Sequence, residues 1–220
     1  MGKTNLLLLV FALLFIRLTG LNAHLIKDAD GNTYASTIIG KQRWLIENLK
    51  TTKYNDGTPI PLVSDDKAWQ ELKSPGYCWL NNDIKNKDVY GALYNWYTVK
   101  TNKLCPKGWH VPSNDEFIIM SAFLGDNETA GNMLKEAGTA HWKHSLTTGT
   151  NDFDFTALPS GIRLTSGLFP EFGTGRAVWW SSTGSTTDAW NRGLSFDSGR
   201  IFKGDENVRY GFSVRCLKDN

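Results

Sequence analysis

The spacing of apolar and polar residues changes character three times along this chain. Leu6 to Ile16 is an unbroken run of eleven apolar residues, preceded by the lone charge of Lys3 and closed by Arg17. A bilayer-spanning helix needs roughly 20. A short basic start, an apolar middle and the small residue Ala23 read instead as a secretory signal over residues 1–23, cut before His24. The competing reading is an uncleaved anchor, in which Leu18 to Leu21 extend the run. After the cut site the rhythm shortens to strands broken by turn residues. Leu25 to Lys27 leads into Asp30-Gly31, and Thr33 to Ile39 leads through Gly40-Lys41 into Arg43 to Glu47, so two hairpins sharing a central strand are expected. Asp56-Gly57 marks another turn, and Pro59 and Pro61 keep the following stretch extended.

The middle of the chain takes a helical period. A short helix is expected over Asp65 to Leu72 with Ser64 as its cap, and another over Tyr90 to Val99, where Leu93, Trp96 and Tyr97 share a face. The clearest helix begins at Ser113. Ser113-Asn114-Asp115-Glu116 forms a capping box, Phe117, Met120, Phe123 and Leu124 form the apolar stripe, and Gly125 supplies a left-handed stop. Thr129 to Ala137, ended by Gly138, fits a further helix. From His141 onward the pattern turns to Gly, Ser and Thr with short aromatic strands: Phe153 to Leu158, Ala177 to Ser181, Arg192 to Phe196 and Gly211 to Leu217. Long loops between them are where function usually sits. With no linker-like composition shift and no repeat, the expectation is one mixed α+β domain from His24 to Asn220.

Charge narrows the function classes. Removing the signal takes away only Lys3 and Arg17, so 22 of the 24 Lys and Arg face 22 Asp and Glu. A balanced surface exerts no long-range pull on nucleic acid or an anionic membrane, and neither is expected as a partner. Three cysteines, Cys78, Cys105 and Cys216, imply one bridge and one leftover sulfur in an oxidising compartment.

Nine tryptophans are a heavy aromatic load. Trp44, Trp96 and Trp109 fall in patterned segments and read as core. Trp179 and Trp180 are adjacent in a strand and must point to opposite faces, so one is expected inside and the other at a surface. His141 and His144 have a spacing that suits a shared metal on a helix, but no further ligands stand nearby and a solvated loop is the better reading. Cys105 and His110 resemble a nucleophile and its base, separated however by a Pro-Lys-Gly turn. Asp28-Ala29-Asp30-Gly31-Asn32 resembles the start of a calcium loop, with its glycine too early and Ile39 where a carboxylate belongs. Asn127-Glu128-Thr129 is a glycosylation sequon. No phosphate loop, dinucleotide fingerprint or nucleophile elbow is present.

The motifs together resemble those of the Fibrobacter succinogenes major paralogous domain family. The opening blocks are Asp30-Gly31-Asn32-Thr33-Tyr34, Ile39-Gly40-Lys41-Gln42-Arg43-Trp44, Glu47-Asn48-Leu49-Lys50-Thr51-Thr52 and Tyr54 to Pro61. Tyr90 to Trp96, Cys105 to Ser113, Phe155 to Arg163, Trp179-Trp180-Ser181-Ser182 and Ser213-Val214-Arg215-Cys216 follow in order. The resemblance brings no established activity with it and implies an exported or surface protein of bacterial type. More distantly, Trp109 to Phe117 is similar to the strand-to-helix motif of formylglycine-generating enzymes, and Gly211 to Cys216 to their closing strand. That likeness implies a C-type lectin-like fold in which Cys105 bridges to Cys216. The late cysteine pair with which those enzymes bind copper is missing. So is the calcium loop of sugar-binding lectins, since Trp190-Asn191-Arg192 puts an arginine where a carboxylate ligand belongs.

These readings lead to a secreted or surface-held, non-catalytic binding or structural module with a glycan or a protein as partner, and with no catalytic residue, cofactor or metal expected. Its recognition face is expected in the loops between Thr147 and Asp205, with Trp180, Trp190, Arg163, Arg176 and Asp197 as contacts. The alternative for these residues is structural, Arg163 pairing with a buried carboxylate and the tryptophans filling core. The rival from another class is a diverged oxidase or hydrolase, for which Cys78, His110 and His141 would have to converge. A passive surface component is a third reading.

Overall fold

A computed structural model describes residues 25–125, 128–142, 146–173 and 175–219. The expected signal at 1–23, Asn127 of the sequon and the second imidazole, His144, lie outside the described residues.

Four short strands open the chain: β1 (Ile26–Lys27), β2 (Thr33–Tyr34), β3 (Ser36–Ile39) and β4 (Gln42–Leu45). They pair as two antiparallel hairpins, β1 with β2 and β3 with β4. The expected strand over Thr33 to Ile39 breaks at Ala35, whose N–H goes to Glu47 Oε2 and whose carbonyl accepts from Ile46. The Asp28 carboxylate closes the first turn, taking the backbone N–H of Asp30 and Asn32, the Asn32 amide and the Tyr34 hydroxyl. The loop that resembled a calcium site thus spends this carboxylate on itself.

Helix α1 (Asp66–Glu71) is capped by Asp65, whose Oδ1 accepts from Ala68 N at 2.7 Å, and not by Ser64. After it come β5 (Tyr77–Trp79), α2 (Lys87–Tyr90), β6 (Ala92–Tyr94) and α3 (Trp96–Val99). The single helix expected over Tyr90 to Val99 is therefore split. Gly91 has φ +74, and a Cβ there would lie 2.7 Å from Leu49 O, so the chain turns here as only glycine allows. The next residues join β5 as an antiparallel pair.

Strand β7 (Trp109–His110) leads into α4 (Asn114–Phe123), whose capping box is fully formed between Ser113 and Glu116. Phe117, Met120 and Leu124 are buried as expected, but Phe123 is 53% exposed. It lies at the edge of the stripe, its ring against the Gly40 turn. The helix expected over Thr129 to Ala137 is a series of turns. Lys135 N still donates to Gly131 O, but Gly131 N donates to Gly199 O at 2.7 Å, Glu136 N donates to Ala157 O and Leu134 O accepts from Ala157 N, so these backbone groups are drawn to other segments.

The late half is a meander in the order β10-β9-β8, built from β8 (Arg176–Gly184), β9 (Asp188–Ser195) and β10 (Ser198–Asn207). β10 was not expected, because its charged and glycine-rich sequence hides the alternation. The strand expected over Phe153 to Leu158 contributes one bridge, at Ala157. The one expected over Gly211 to Leu217 contributes bridges at Gly211, Phe212 and Ser213, and then β11 (Leu217–Lys218), which lies between β4 and β7.

Trp179 and Trp180 are both buried, at 2% and 0% exposure, and the surface position expected for one of them is not found. They do face opposite ways, but β8 is covered on both sides. Trp180 packs on Phe212 with ring centroids 4.4 Å apart, and Trp179 on Phe155 at 5.7 Å, in two separate apolar clusters. Cys105 and Cys216 form the disulfide, with Cα atoms 6.0 Å apart and 111 residues between them in sequence. Cys78 is the free thiol, buried against Trp69 and Leu93. The architecture is mixed α+β, short helices with several small antiparallel sheets. Among the described residues no helix is long and apolar enough to cross a membrane.

Candidate functional site

Glycines bring three separated loops to one place. Gly161, at φ +73, has no room for a Cβ, which would meet Leu80 Cδ1 at 2.6 Å. Its N–H donates to Arg176 O at 2.9 Å, drawing the Pro159 to Ile162 loop against the start of β8. Gly175, at φ +78, accepts from Phe196 N at 2.9 Å and so fixes the β9–β10 turn beside it. The turn is braced from beneath by buried Lys135, whose ammonium donates to Thr147 Oγ1, Ser195 O and Ser198 O at 2.7 to 2.9 Å. With every donor placed, this lysine is satisfied without a carboxylate partner.

Between these loops, the 80–81 turn and the end of α2 lies a cleft of about 880 Å³. Its apolar lining comes from Leu80, Tyr90, Pro159, Ile162, Phe169, Pro170 and Phe196, and its polar groups from Asn81, His141, Glu171 and Arg176. A concave, mostly apolar surface with few polar groups is the usual form of a small-ligand site.

His141 is the most defined of the polar groups. Its Nδ1 lies 2.9 Å from both oxygens of Glu136, and its backbone N–H donates to Glu136 Oε2 at 3.2 Å. The Tyr90 ring meets the imidazole edge-on, at 5.9 Å between centroids and 86° between planes. Burial, and after it the Glu136 carboxylate, push the Tyr90 phenol above its ordinary pKa, so it stays a hydroxyl donor.

The contacts expected from sequence divide among different places. Arg176 lines the cleft. Asp197 is exposed beside Phe196. The Ser195 hydroxyl first, with help from its own backbone N–H and from Arg176 and Lys135, holds its carboxyl below the ordinary value against the opposing effect of burial. Trp190 is half-buried five positions back along β9, about 16 Å from Ser195 at the rise of an extended strand, with the Lys203 ammonium 5.4 Å over its ring. Trp180 is inside, its indole N–H donating to Tyr94 O at 2.8 Å, and so does not serve as a surface contact. Arg163 is likewise fully buried. It donates to Gly167 O, Val63 O, Ser64 O and Asp66 Oδ1 and lies 4.4 Å over Trp69, which uses it as an internal clamp. Asp66 is half exposed, so the buried carboxylate partner anticipated for Arg163 is not found either.

Cys78, His110 and His141 do not converge. Burial pushes the Cys78 thiol up to about 12. His110 is held between Asp219 Oδ1 at 2.7 Å and Glu116 Oε1 at 2.9 Å, and His141 belongs to Glu136. Sequence reasoning missed Tyr90, Glu136, Phe169 and Phe196. The available signal was the pair of glycines Gly161 and Gly175, the first lying two residues after Pro159 and the second three residues after Phe172.

Compared with known proteins, residues 38–218 match the model of the Fibrobacter succinogenes major domain family. No curated protein and no solved structure matches the chain significantly.

Proposed function

This chain belongs to the Fibrobacter succinogenes major domain family, and we propose that it acts as an extracytoplasmic, non-catalytic recognition module binding its ligand in the cleft between Tyr90, His141 and Arg176. The cleft carries the proposal. Its volume of about 880 Å³ suits a ligand of several rings or residues, its walls are mostly apolar, and of its polar groups His141 is held by the Glu136 carboxylate and Arg176 by the Gly161 N–H at its carbonyl. Placement outside the cytoplasm rests on the export signal read at residues 1–23, with the domain from residue 24 onward. It agrees with the Cys105–Cys216 link, since disulfides persist in oxidising compartments. A C-type lectin-like architecture is the fold reading that fits. A cysteine shortly before α4 is tied to the residue preceding the last strand, and a loop-rich half lies between.

The experiment is a binding screen of the purified chain against glycan and surface-protein arrays, repeated with Tyr90→Ala and Arg176→Ala. A ligand held by the native chain and weakened at least about tenfold, roughly 1.4 kcal/mol, in both variants at unchanged melting temperature supports the cleft. Binding undiminished in both variants rules the cleft out.

A further inference from the structure

We infer that the ligand of this cleft is an uncharged saccharide, and that His141 is the residue that reads its hydroxyl edge; this rests on the cleft being the recognition site. The imidazole is tied to Glu136 at two points, through Nδ1 and through its own backbone N–H. A carboxylate only accepts, so Nδ1 carries a proton, and Nε2 is the ring nitrogen left to pair with a ligand. Among the described residues Nε2 has no hydrogen-bond partner, and His141 lines the cleft. Tyr90, whose ring meets the imidazole edge-on, lines the same cleft and brings a hydroxyl, kept protonated, as a second polar group. A sugar hydroxyl, donor and acceptor in one group, answers both.

The remaining walls suit the rest of a sugar ring. Phe169, Phe196 and the two prolines offer flat apolar faces against which ring C–H groups pack. The lining carries one guanidinium, Arg176, and one carboxylate, Glu171, so an anionic or cationic ligand finds no excess of counter-charge. An extended peptide would need a row of unpaired backbone groups to join. Two of the backbone N–H groups at the cleft are already taken, Gly161 N by Arg176 O and Phe196 N by Gly175 O.

Isothermal titration of the full chain tests this with neutral tetramers of β-1,4-linked glucose, xylose and mannose, a galacturonate tetramer and a proline-rich peptide. At least one neutral tetramer is expected to bind. His141→Ala should weaken it about tenfold or more, and Glu136→Gln, which loosens the imidazole, by a smaller factor, with melting temperatures unchanged. On the unaltered chain, saturation-transfer NMR should show magnetisation passing from aromatic protons to the sugar ring protons. Galacturonate or peptide bound in place of the neutral sugars, and lost in Tyr90→Ala, overturns the saccharide class while leaving the cleft standing. Neutral sugar bound equally by His141→Ala overturns the role of His141. Sugar bound equally by Tyr90→Ala and Arg176→Ala overturns the cleft itself. No binding by any neutral tetramer, or no transfer, overturns the inference.

Discussion

The side-chain oxygen of Asn48 accepts the indole N–H of Trp179 at 2.8 Å, across 131 residues of sequence. The same oxygen takes Nε and Nη2 of Arg215 at 3.2 and 3.0 Å, while the Asn48 amide donates to Tyr90 O and Ser213 Oγ. Arg215 also donates through Nη1 to Phe155 O and stacks 4.1 Å over that ring. The motif blocks around Asn48, Tyr90, Phe155, Trp179 and Ser213 to Cys216 therefore meet at one buried amide. Their role is architectural, and the cleft is built from the loops that leave this junction.

Asn48→Ala would leave the Arg215 guanidinium and the Trp179 indole buried with their acceptor gone. Arg215 keeps Phe155 O through Nη1, so the cost is that of buried donors left unpaired, about 1–3 kcal/mol and more on a charged group. Urea unfolding should show a loss in that range, whereas a loss below about 1 kcal/mol would mean that the network contributes little.

Cys105→Ser with Cys216→Ser opens a loop of 111 residues. Chain entropy alone assigns such a closure about 4–5 kcal/mol. Denaturant midpoints of the double variant should fall accordingly, and an unchanged midpoint would show that the sheet β3-β4-β11-β7 holds the C-terminus unaided.

Burial pushes the Cys78 thiol up to about 12, so at neutral pH it is protonated and out of reach. A disulfide-exchange reagent should find no reactive sulfur in the native chain and one after unfolding in guanidinium. Rapid labelling of the native chain would contradict this.

Burial by itself would raise the Glu116 carboxyl, but the Ser113 N–H, the His110 imidazole and the Ser113 hydroxyl outweigh it and hold the group below its ordinary value. A carboxyl lowered by folding adds stability above its unfolded pKa of about 4.3, and loses it as pH falls through the folded value. The melting-temperature gap between the native chain and Glu116→Gln should thus be open at pH 6 and close toward pH 3. A gap constant down to pH 3 would remove Glu116 from the acid response.

Trp180→Ala empties a site packed on Phe212 and removes a donor to Tyr94 O. Losses of about 3–5 kcal/mol are usual for such a truncation. Calorimetry should register a collapse in melting temperature, while any variant that still folds keeps the ligand affinity of the native chain.

Local signals were legible where a few neighbouring residues decide the outcome. The Asp30-Gly31 and Gly40-Lys41 hairpins, the capping box at Ser113 and the opposite orientation of Trp179 and Trp180 are all properties of a short window. Glycine at 91 was less legible, because a helical period surrounds it. The carbonyl of Leu49 that excludes a Cβ there comes from a segment more than 40 residues away. The helix expected over Thr129 to Ala137 failed in the same manner, the Gly131 and Glu136 N–H groups being claimed by Gly199 O and Ala157 O.

The sequence by itself determined the turns, the long helix, the family to which the motifs point and the balance of charge, since these depend on neighbours along the chain or on composition. Only the tertiary structure decided which polar groups face one another. Arg163 became an interior group because the 63–66 segment and Trp69 close over it, and Trp180 because Phe212 and Tyr94 do. His141 came to line a cleft with Arg176 and Phe196 because Gly161 and Gly175 permit close approaches to Leu80 and Phe196 that a side chain would block. Burial and convergence depend on which segments arrive from elsewhere, and no window of sequence carries that information.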